Sequence, residues 1–368
     1  MAIVSEMTAI DLFSGAGGTT QGLRDAGYDV IAAIENDESA GRSFALNHPN
    51  TELLVRDIRQ VQAPALARRF AAQGRRITLL TACPPCQPFS TLGSGAAADP
   101  RNRLVCTVMR FITQLAPRAV VLENVPGLQT QRRFTRLVAS LAETHDVREY
   151  IVQATDFGVP QRRRRVIVLG IAHGANVALP ADLVDALPED FDAAPVTAGD
   201  ALAAISGLTE IDDALHRART PQLKTLERIQ AVKQGGGRTQ LPAHLQLDCH
   251  ERLKSRSATS VYGRVDPNKP APTMTTRCTT PSCGRFVHPT ENRGLTLREA
   301  ALLSRTTRIP HLRRWEFPTL RSGGEGGSER CDSVAVAAHA VAVEASSPCS
   351  SSGPSTDSPG RASRSYCG

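Results

Sequence analysis

Short apolar runs alternate with stretches of helical spacing over the first 170 or so residues. Thr8–Phe13 and Val30–Ile34 read as strands, with Gly18–Ala26 a helix between them. Leu53–Val55 is a short third strand. Ile77–Ala82, Ala119–Glu123 and Val166–Ile171 are further apolar runs of strand length, and Leu104–Leu115 and Arg132–Thr144 have helical spacing. Strand and helix taking turns predicts an α/β domain over residues 1–171, a parallel sheet with helices on both faces. From about Ala172 the pattern changes. Residues 172–260 hold helical pieces, Asp200–Ile205 and Leu223–Lys233, and a Gly235–Gly237 run, with little strand signal. Residues 261–303 regain short strand-like pieces and close on a helix, Thr296–Leu303. In residues 304–368, 13 of 65 positions are Ser and seven are Gly, without a persistent apolar period, which reads as a disordered tail.

Charge and composition narrow the classes. The 368 residues carry 43 basic and 36 acidic side chains, a formal charge of +7, and only four of the basic residues are lysine. Arginine is the better fork for phosphate, so this balance permits a nucleic-acid partner without requiring one. No run of 18 apolar residues occurs, which predicts no membrane span. The start, MAIVSEMTAIDLFSG, lacks a basic segment followed by a long apolar core, which argues against secretion. Nine cysteines without a framework spacing read as reduced thiols of a cytoplasmic protein.

Four stretches carry candidate chemistry. Asp11-Leu12-Phe13-Ser14-Gly15-Ala16-Gly17-Gly18 leaves the first strand and opens the first helix, and its glycines allow a tight turn close to a ligand. Glu35, at the end of the second strand, is placed to accept both hydroxyls of a ribose, a geometry that serves NAD and S-adenosylmethionine equally. Asp57 follows the third strand, where it can accept from an adenine amino group or simply cap a helix. Cys83-Pro84-Pro85-Cys86-Gln87 follows the fourth strand and precedes a Gly/Ser/Ala-rich segment, 90–99, that reads as a mobile loop over a site. Its two cysteines also suit a redox pair, or half a zinc site completed by Cys278 and Cys283. Glu123-Asn124-Val125 ends the fifth strand, where a side chain faces the ligand crevice of a parallel sheet. Gln161-Arg162-Arg163-Arg164-Arg165 precedes another strand. Alternation puts Arg163 and Arg165 on one face, either that of the crevice or a solvated one.

Taken together and in this order, these pieces resemble the C5-cytosine DNA methyltransferase family, of the prokaryotic restriction-modification type, from residue 8 to about 303. Residues 11–18 resemble its cofactor motif, Pro85-Cys86-Gln87 its nucleophile motif, Glu123-Asn124-Val125 its acid partner, and Gln161-x-Arg163-x-Arg165 the motif that holds the cytosine and a nearby phosphate. Arg264-Val265-Asp266-Pro267 through Pro270–Thr275 resembles the late motif, and Leu295-Thr296-x-Arg298-Glu299 the helix that follows it. The resemblance implies a Rossmann-like methyltransferase sheet with a smaller target-recognition domain, held by residues 172–260. There Gly235–Arg238 and Arg252–Arg256 are candidates for contact with DNA. Residues 261–303 then return toward the catalytic domain.

The implied cofactor is S-adenosylmethionine, contacted by Asp11, Phe13, Ser14, Gly15, Gly17, Gly18, Glu35, Asn36, Asp57, Ile58 and Pro84; no metal is implied. The implied catalytic residues are Cys86, Glu123, Arg163 and Arg165. Cytosine C5 becomes nucleophilic once a thiolate adds at C6, an acid at N3 stabilises that adduct, and the base must leave the duplex to be reached. Cys83 lies outside the nucleophile motif and receives no role. The implied partners are double-stranded DNA and a cognate restriction endonuclease acting on the same site, with a cytoplasmic, nucleoid-associated location and no membrane.

The chain departs from the family after Leu303. The family's Leu-Gln-Gly/Ser-Phe-Pro is replaced by Ser304-Arg305-Thr306-Thr307, and no Gly-Asn-x-x-Pro occurs. Glu329–Ala335 can be encoded by codons that, read one base later, give Asn-Ala-Ala-Ile-Pro-Leu-Pro, close to the missing segment. The tail therefore reads as either disordered or frameshifted near residue 304. Two rivals follow: a catalytically impaired DNA-binding relative, and a nicotinamide-dependent oxidoreductase, which needs the glycine turn but has no use for Cys86 and Glu123.

Overall fold

The computed structural model describes residues 7–85, 104–175, 177–187, 196–209, 211, 213–251, 258–275 and 277–304. Its first half runs β1 (Thr8–Leu12), α1 (Gly18–Asp25), β2 (Asp29–Glu35), α2 (Glu38–Asn47), β3 (Glu52–Val55), α3 (Ala63–Ala72), β4 (Leu79–Ala82), α4 (Leu104–Leu115), β5 (Ala119–Asn124), α5 (Arg132–Leu141), β6 (His145–Gln153), β7 (Gln161–Arg162) and β8 (Arg164–Ala172). Seven of these strands form one sheet in the order β3-β2-β1-β4-β5-β8-β6. The inner strands β1, β4 and β5 are buried at every position and β2 and β8 along their middles, because helices or chain cover both faces.

Alternation along the strands divides two cores. Ile10, Leu12, Leu80, Ala82, Val120 and Leu122 face α3, α4 and α5, where Phe70, Phe111, Phe134 and Leu137 close the layer. On α5 the buried residues Phe134, Leu137 and Leu141 recur at helical spacing, so its charged residues Arg132, Arg133 and Arg136 fall on the other side. Ala9, Val30, Leu79, Val121, Ile167 and Leu169 face the opposite way, toward Leu23 of α1 and a segment that contributes Val177, Leu179 and Leu183.

Two differences from the expected sheet stand out. β8 runs antiparallel to both β5 and β6, so the sheet is mixed rather than all parallel. The chain reaches β8 through β6 and a short crossing, not through a helix, and only a helical crossover would have forced a parallel return. β6 itself has no strand-like pattern in the sequence. As the edge strand it buries His145, Tyr150 and Val152 while Asp146, Glu149 and Ile151 face solvent, which removes the apolar run that marks an inner strand.

The second half holds α6 (Ala198–Ala203), α7 (Leu223–Gln230), α8 (Asp248–Glu251), β9 (Ala271–Pro272) and α9 (Leu297–Leu303). Thr197 and Thr296 each start a helix with a reciprocal capping box, to Asp200 and Glu299 respectively. Its core is Ala198, Leu202, Val265, Met274, Phe286, Leu295 and Leu303. Arg264 is buried through the middle of this half. It donates to the carbonyls of Ile229, Val232, His288 and Glu291 and to Asn292 Oδ1, so its charge is met by oxygen dipoles from two chain segments. Arg238, expected at a DNA contact, is instead buried and donates through Nε to Ala258 O. A guanidinium with carbonyls within reach satisfies its donors inside the fold. Residues 86–103, 252–257 and 305–368, and with them the expected loop over the site, the basic cluster and the tail, lie outside the described residues. Cys106 is disulfide-bonded, against the expectation of reduced thiols throughout, whereas Cys83, Cys249, Cys278 and Cys283 form no disulfide. Spacing along the chain gives no view of which thiols fold side by side.

Candidate active site

The expected site residues among those described gather at the carboxyl ends of β1, β2, β3, β4 and β5, where an open α/β sheet leaves its crevice. The glycine turn comes first. Phe13, Gly15 and Gly17 all have positive φ, at 61°, 57° and 97°, and Gly18 begins α1. Two carboxylates tie this turn down. Asp11, fully buried, accepts from Thr20 Oγ1 at 2.8 Å and Thr81 Oγ1 at 3.1 Å, joining β1 to α1 and β4. Glu35 accepts from Gly15 N at 2.7 Å through Oε2, and from Asn36 N and Asp37 N at 2.8 Å through Oε1. A carboxylate has about four acceptor positions, so three backbone donors leave Glu35 one at Oε2. The hydroxyl of Ser14 is buried and has no hydrogen-bond partner among the described residues. A buried hydroxyl without a partner costs about 1–3 kcal/mol, so the turn is built to receive a polar group.

Sequence reasoning missed the support beneath the turn. His48, at the C-terminus of α2, is fully buried and donates from Nε2 to Gly17 O at 2.9 Å. Its ring lies 4.8 Å from that of Phe44. Burial, reinforced by the charge of Arg24, pushes its pKa down to about 4, so the ring is neutral at physiological pH. A side chain on Gly17 would place Cβ 2.2 Å from His48 Nε2. Nothing in the sequence links His48 to a turn 31 residues away.

The second half of the crevice is the end of β5. Glu123 and Arg165 lie on the face of the sheet that also carries Val121 and Ile167, because β5 and β8 pair with Glu123 opposite Ile167. Arg165 Nε meets Glu123 Oε1 at 2.7 Å, and Arg163 approaches the same oxygen at 3.9 Å. Glu123 is nearly buried and both guanidinium groups are largely covered, so the pairing sits where solvent screens it weakly. The two arginines share one face, as alternation requires. Asn124, buried beside Glu123, donates from Nδ2 to Pro84 O at 2.9 Å and accepts from Val125 N at 2.9 Å. This amide fixes the carbonyl two residues before Cys86, which itself lies outside the described residues. The Glu-Asn-Val triplet pointed to Glu123 but gave Asn124 no role.

Asp57 and Ile58 sit apart from this pairing, past the end of β3. The Asp57 side chain accepts from Arg59 N and pairs with the Arg59 guanidinium at 2.5 Å, which holds its carboxyl below the ordinary range. It thus caps a short 3-10 turn, Ile58–Gln60, whatever else it binds. Cys83 is buried in the sheet core near Thr19, while Cys278 and Cys283 belong to the core of the second half. No three metal-ligating side chains cluster among the described residues, and Cys83 lies in a different core from Cys278 and Cys283, which counts against the zinc reading. No described helix is long and apolar enough to cross a membrane.

The sequence model of the family described as C-5 cytosine-specific DNA methylase matches residues 7–343. The chain belongs to that family. It is a DNA methyltransferase that acts at cytosine C5, and the match sets aside the oxidoreductase reading. The chain is 33% identical over 298 residues to the Type II methylase M.HgiDII of Herpetosiphon aurantiacus, covering 80% of this chain and 82% of that one. It is 29% identical to the Type II methyltransferase M1.HphI of Haemophilus parahaemolyticus, covering 81% and 77%. Among solved structures, a prophage-encoded E. coli protein described as a DNA modification methyltransferase aligns with a TM-score of 0.60 at 24% identity, covering 91% of this chain and 97% of that one. The Dnmt2 methyltransferase of S. pombe aligns with a TM-score of 0.57 at 17% identity, covering 92% and 97%. At those identities the likeness concerns the fold.

Proposed function

We propose that this methyltransferase forms a covalent bond from Cys86 to C6 of a cytosine flipped out of double-stranded DNA, with Glu123, Arg163 and Arg165 holding the base. The observation that carries the reading is the Arg165–Glu123 pair, 2.7 Å apart and nearly buried at the end of β5. Arg165 engages one oxygen of Glu123 and leaves the other for the Watson–Crick edge, where a proton shared with N3 stabilises the C6 adduct. Arg163, further from Glu123, has donors for the O2 carbonyl or a phosphate. Asn124 fixes the carbonyl of Pro84 and so the approach of the thiolate. Once C5 has gained a methyl group, loss of its proton and elimination of Cys86 restore the ring.

The glycine turn fits S-adenosylmethionine: the Ser14 hydroxyl, unpartnered among the described residues, and the remaining lone pair of Glu35 suit its polar groups, with Asp11, Phe13, Gly15, Gly17, Gly18, Asn36, Asp57, Ile58 and Pro84 forming the surround. When bound, that cofactor supplies an electrophilic methyl group. Residues 172–260 are the target-recognition region. The names of the relatives support a restriction-modification setting, with an endonuclease cutting the same site and the enzyme acting in the cytoplasm on chromosomal DNA.

The test is adduct trapping. DNA carrying 5-fluorocytosine is expected to accumulate a denaturation-resistant complex with the parent enzyme, because fluorine cannot leave as the C5 proton does. Cys86→Ala is expected to form none while still binding S-adenosylmethionine. An adduct in Cys86→Ala, or one mapped to Cys83, sinks the assignment.

A further inference from the structure

The first residue of the Gln161-x-Arg163-x-Arg165 run has no part in the site described so far. Its side chain is buried, yet it does not point to the crevice. The amide oxygen accepts from Met274 N at 3.2 Å. The amide nitrogen donates to Leu303 O at 3.2 Å and to Ser304 Oγ at 3.1 Å. Leu303 ends α9, where the last carbonyls of a helix have no partner within it, so Gln161 caps α9 from another part of the chain. Around it the backbone is stitched as well. Gln161 and Arg162 pair with Ala271 and Pro272 as the two-stranded sheet β7–β9, Ala271 N donates to Pro160 O, and Thr273 Oγ1 donates to Arg162 O. Two residues later Arg163, and four later Arg165, reach Glu123.

We infer that Gln161 is a positioning residue: it sets the place of the Arg163–Arg165 strand, and through it of Glu123, against the half of the molecule that holds the DNA site. Three features carry this. One amide uses three of its four hydrogen-bonding positions on two separate segments of the second half. Those segments, the stretch after β9 and the end of α9, belong to the core of that half. The backbone on the other side of Gln161 runs without a break into the two arginines. A shift of the second half on DNA therefore reaches Arg163 and Arg165 through this amide, and small displacements of positioned groups cost large factors in rate. The side chains of Arg162 and Arg164, on the alternate face, are exposed.

The inference rests on the Glu123–Arg165 reading, and the test separates the two. Gln161→Met keeps the length and volume but has neither donor nor amide acceptor. Gln161→Glu keeps an acceptor for Met274 N and sets a carboxylate against Leu303 O. Both are expected to lower kcat by about 10–100-fold, to leave the S-adenosylmethionine Kd within about twofold, and to slow 5-fluorocytosine adduct formation by the same factor as kcat. Ser304→Ala, at the edge of the seam, removes one acceptor and keeps the fold safe. It is expected to lower kcat about two- to fivefold, with no further loss when combined with Gln161→Met. Unchanged kcat in Ser304→Ala and in whichever Gln161 variants fold, with only the melting temperature lowered, shows a merely structural residue and overturns the inference. Failure of the underlying reading shows elsewhere, as adduct formation by Cys86→Ala or full activity of Glu123→Gln.

Discussion

Gly17→Ala tests whether the glycine turn is fixed by the ring beneath it. Two costs can be worked out. Gly17 sits at φ 97°, and a residue with a Cβ in left-handed backbone costs about 1–2 kcal/mol. The new Cβ would also stand 2.2 Å from His48 Nε2 and 2.3 Å from its Cδ2, inside any real contact distance. The ring must move, and since it is buried, bonded to Gly17 O and packed on Phe44, moving it breaks a buried hydrogen bond worth about 1–3 kcal/mol. Together the substitution should cost about 2–5 kcal/mol. His48→Ala removes the ring at a cost of its own but also removes the clash. In that background Gly17→Ala should cost only the backbone term, about 1–2 kcal/mol, since the next neighbour, Phe44 Cδ2 at 3.1 Å, is within reach of small adjustment. Urea unfolding of the parent, both single variants and the double variant gives the four free energies of the cycle. Calorimetric titration with S-adenosylmethionine below the transition reads whether the turn still binds. If Gly17→Ala costs the same with and without His48, the ring is not what demands glycine and the argument fails.

Other expectations follow from the same geometry. His48 titrates near 4 in the fold and near 6.5 when unfolded, so the unfolded chain takes up the proton first. Stability should fall as pH drops from about 6.5 toward 4, by up to about 3 kcal/mol from this ring. His145 and His288 are lowered by burial too, so the readout is the difference in slope between the parent and His48→Asn; equal slopes refute the assignment. Arg165→Ala should reduce kcat by about 10²-fold or more with cofactor affinity unchanged, and Arg165→Lys should recover only part, because an ammonium lacks the guanidinium fork; equal kcat for Lys and Arg would count against the pairing. For the tail, shifting the reading frame near codon 304 is expected to restore a Gly-Asn-x-x-Pro segment and to raise cofactor affinity and methylation above those of the 368-residue chain. A gene sequence confirming the present frame, with equal activity, rules that out.

The sequence by itself determined the inner sheet and the identities of the chemical groups. Strands buried on both faces must be apolar throughout, so β1, β2, β4, β5 and β8 were visible as runs. α4 spans Leu104–Leu115, as its spacing predicted. The ends of those strands then placed Glu35 and Glu123 at the crevice without any contact being known. Only the tertiary structure decided the rest, because each of these features depends on what comes close in space and not on local pattern. β6 is an edge strand whose charged face hides it. β8 turns back antiparallel because no helix intervenes. Arg238 and Arg264 carry the same side chain as Arg163 and Arg165, yet the first two are spent inside the second half on carbonyl oxygens, while the other two reach Glu123. His48, Asn124 and Gln161 act on partners 31, 40 and more than 100 residues away. A hydrogen bond leaves no period in the sequence of either partner, so such support is invisible until the chain has folded.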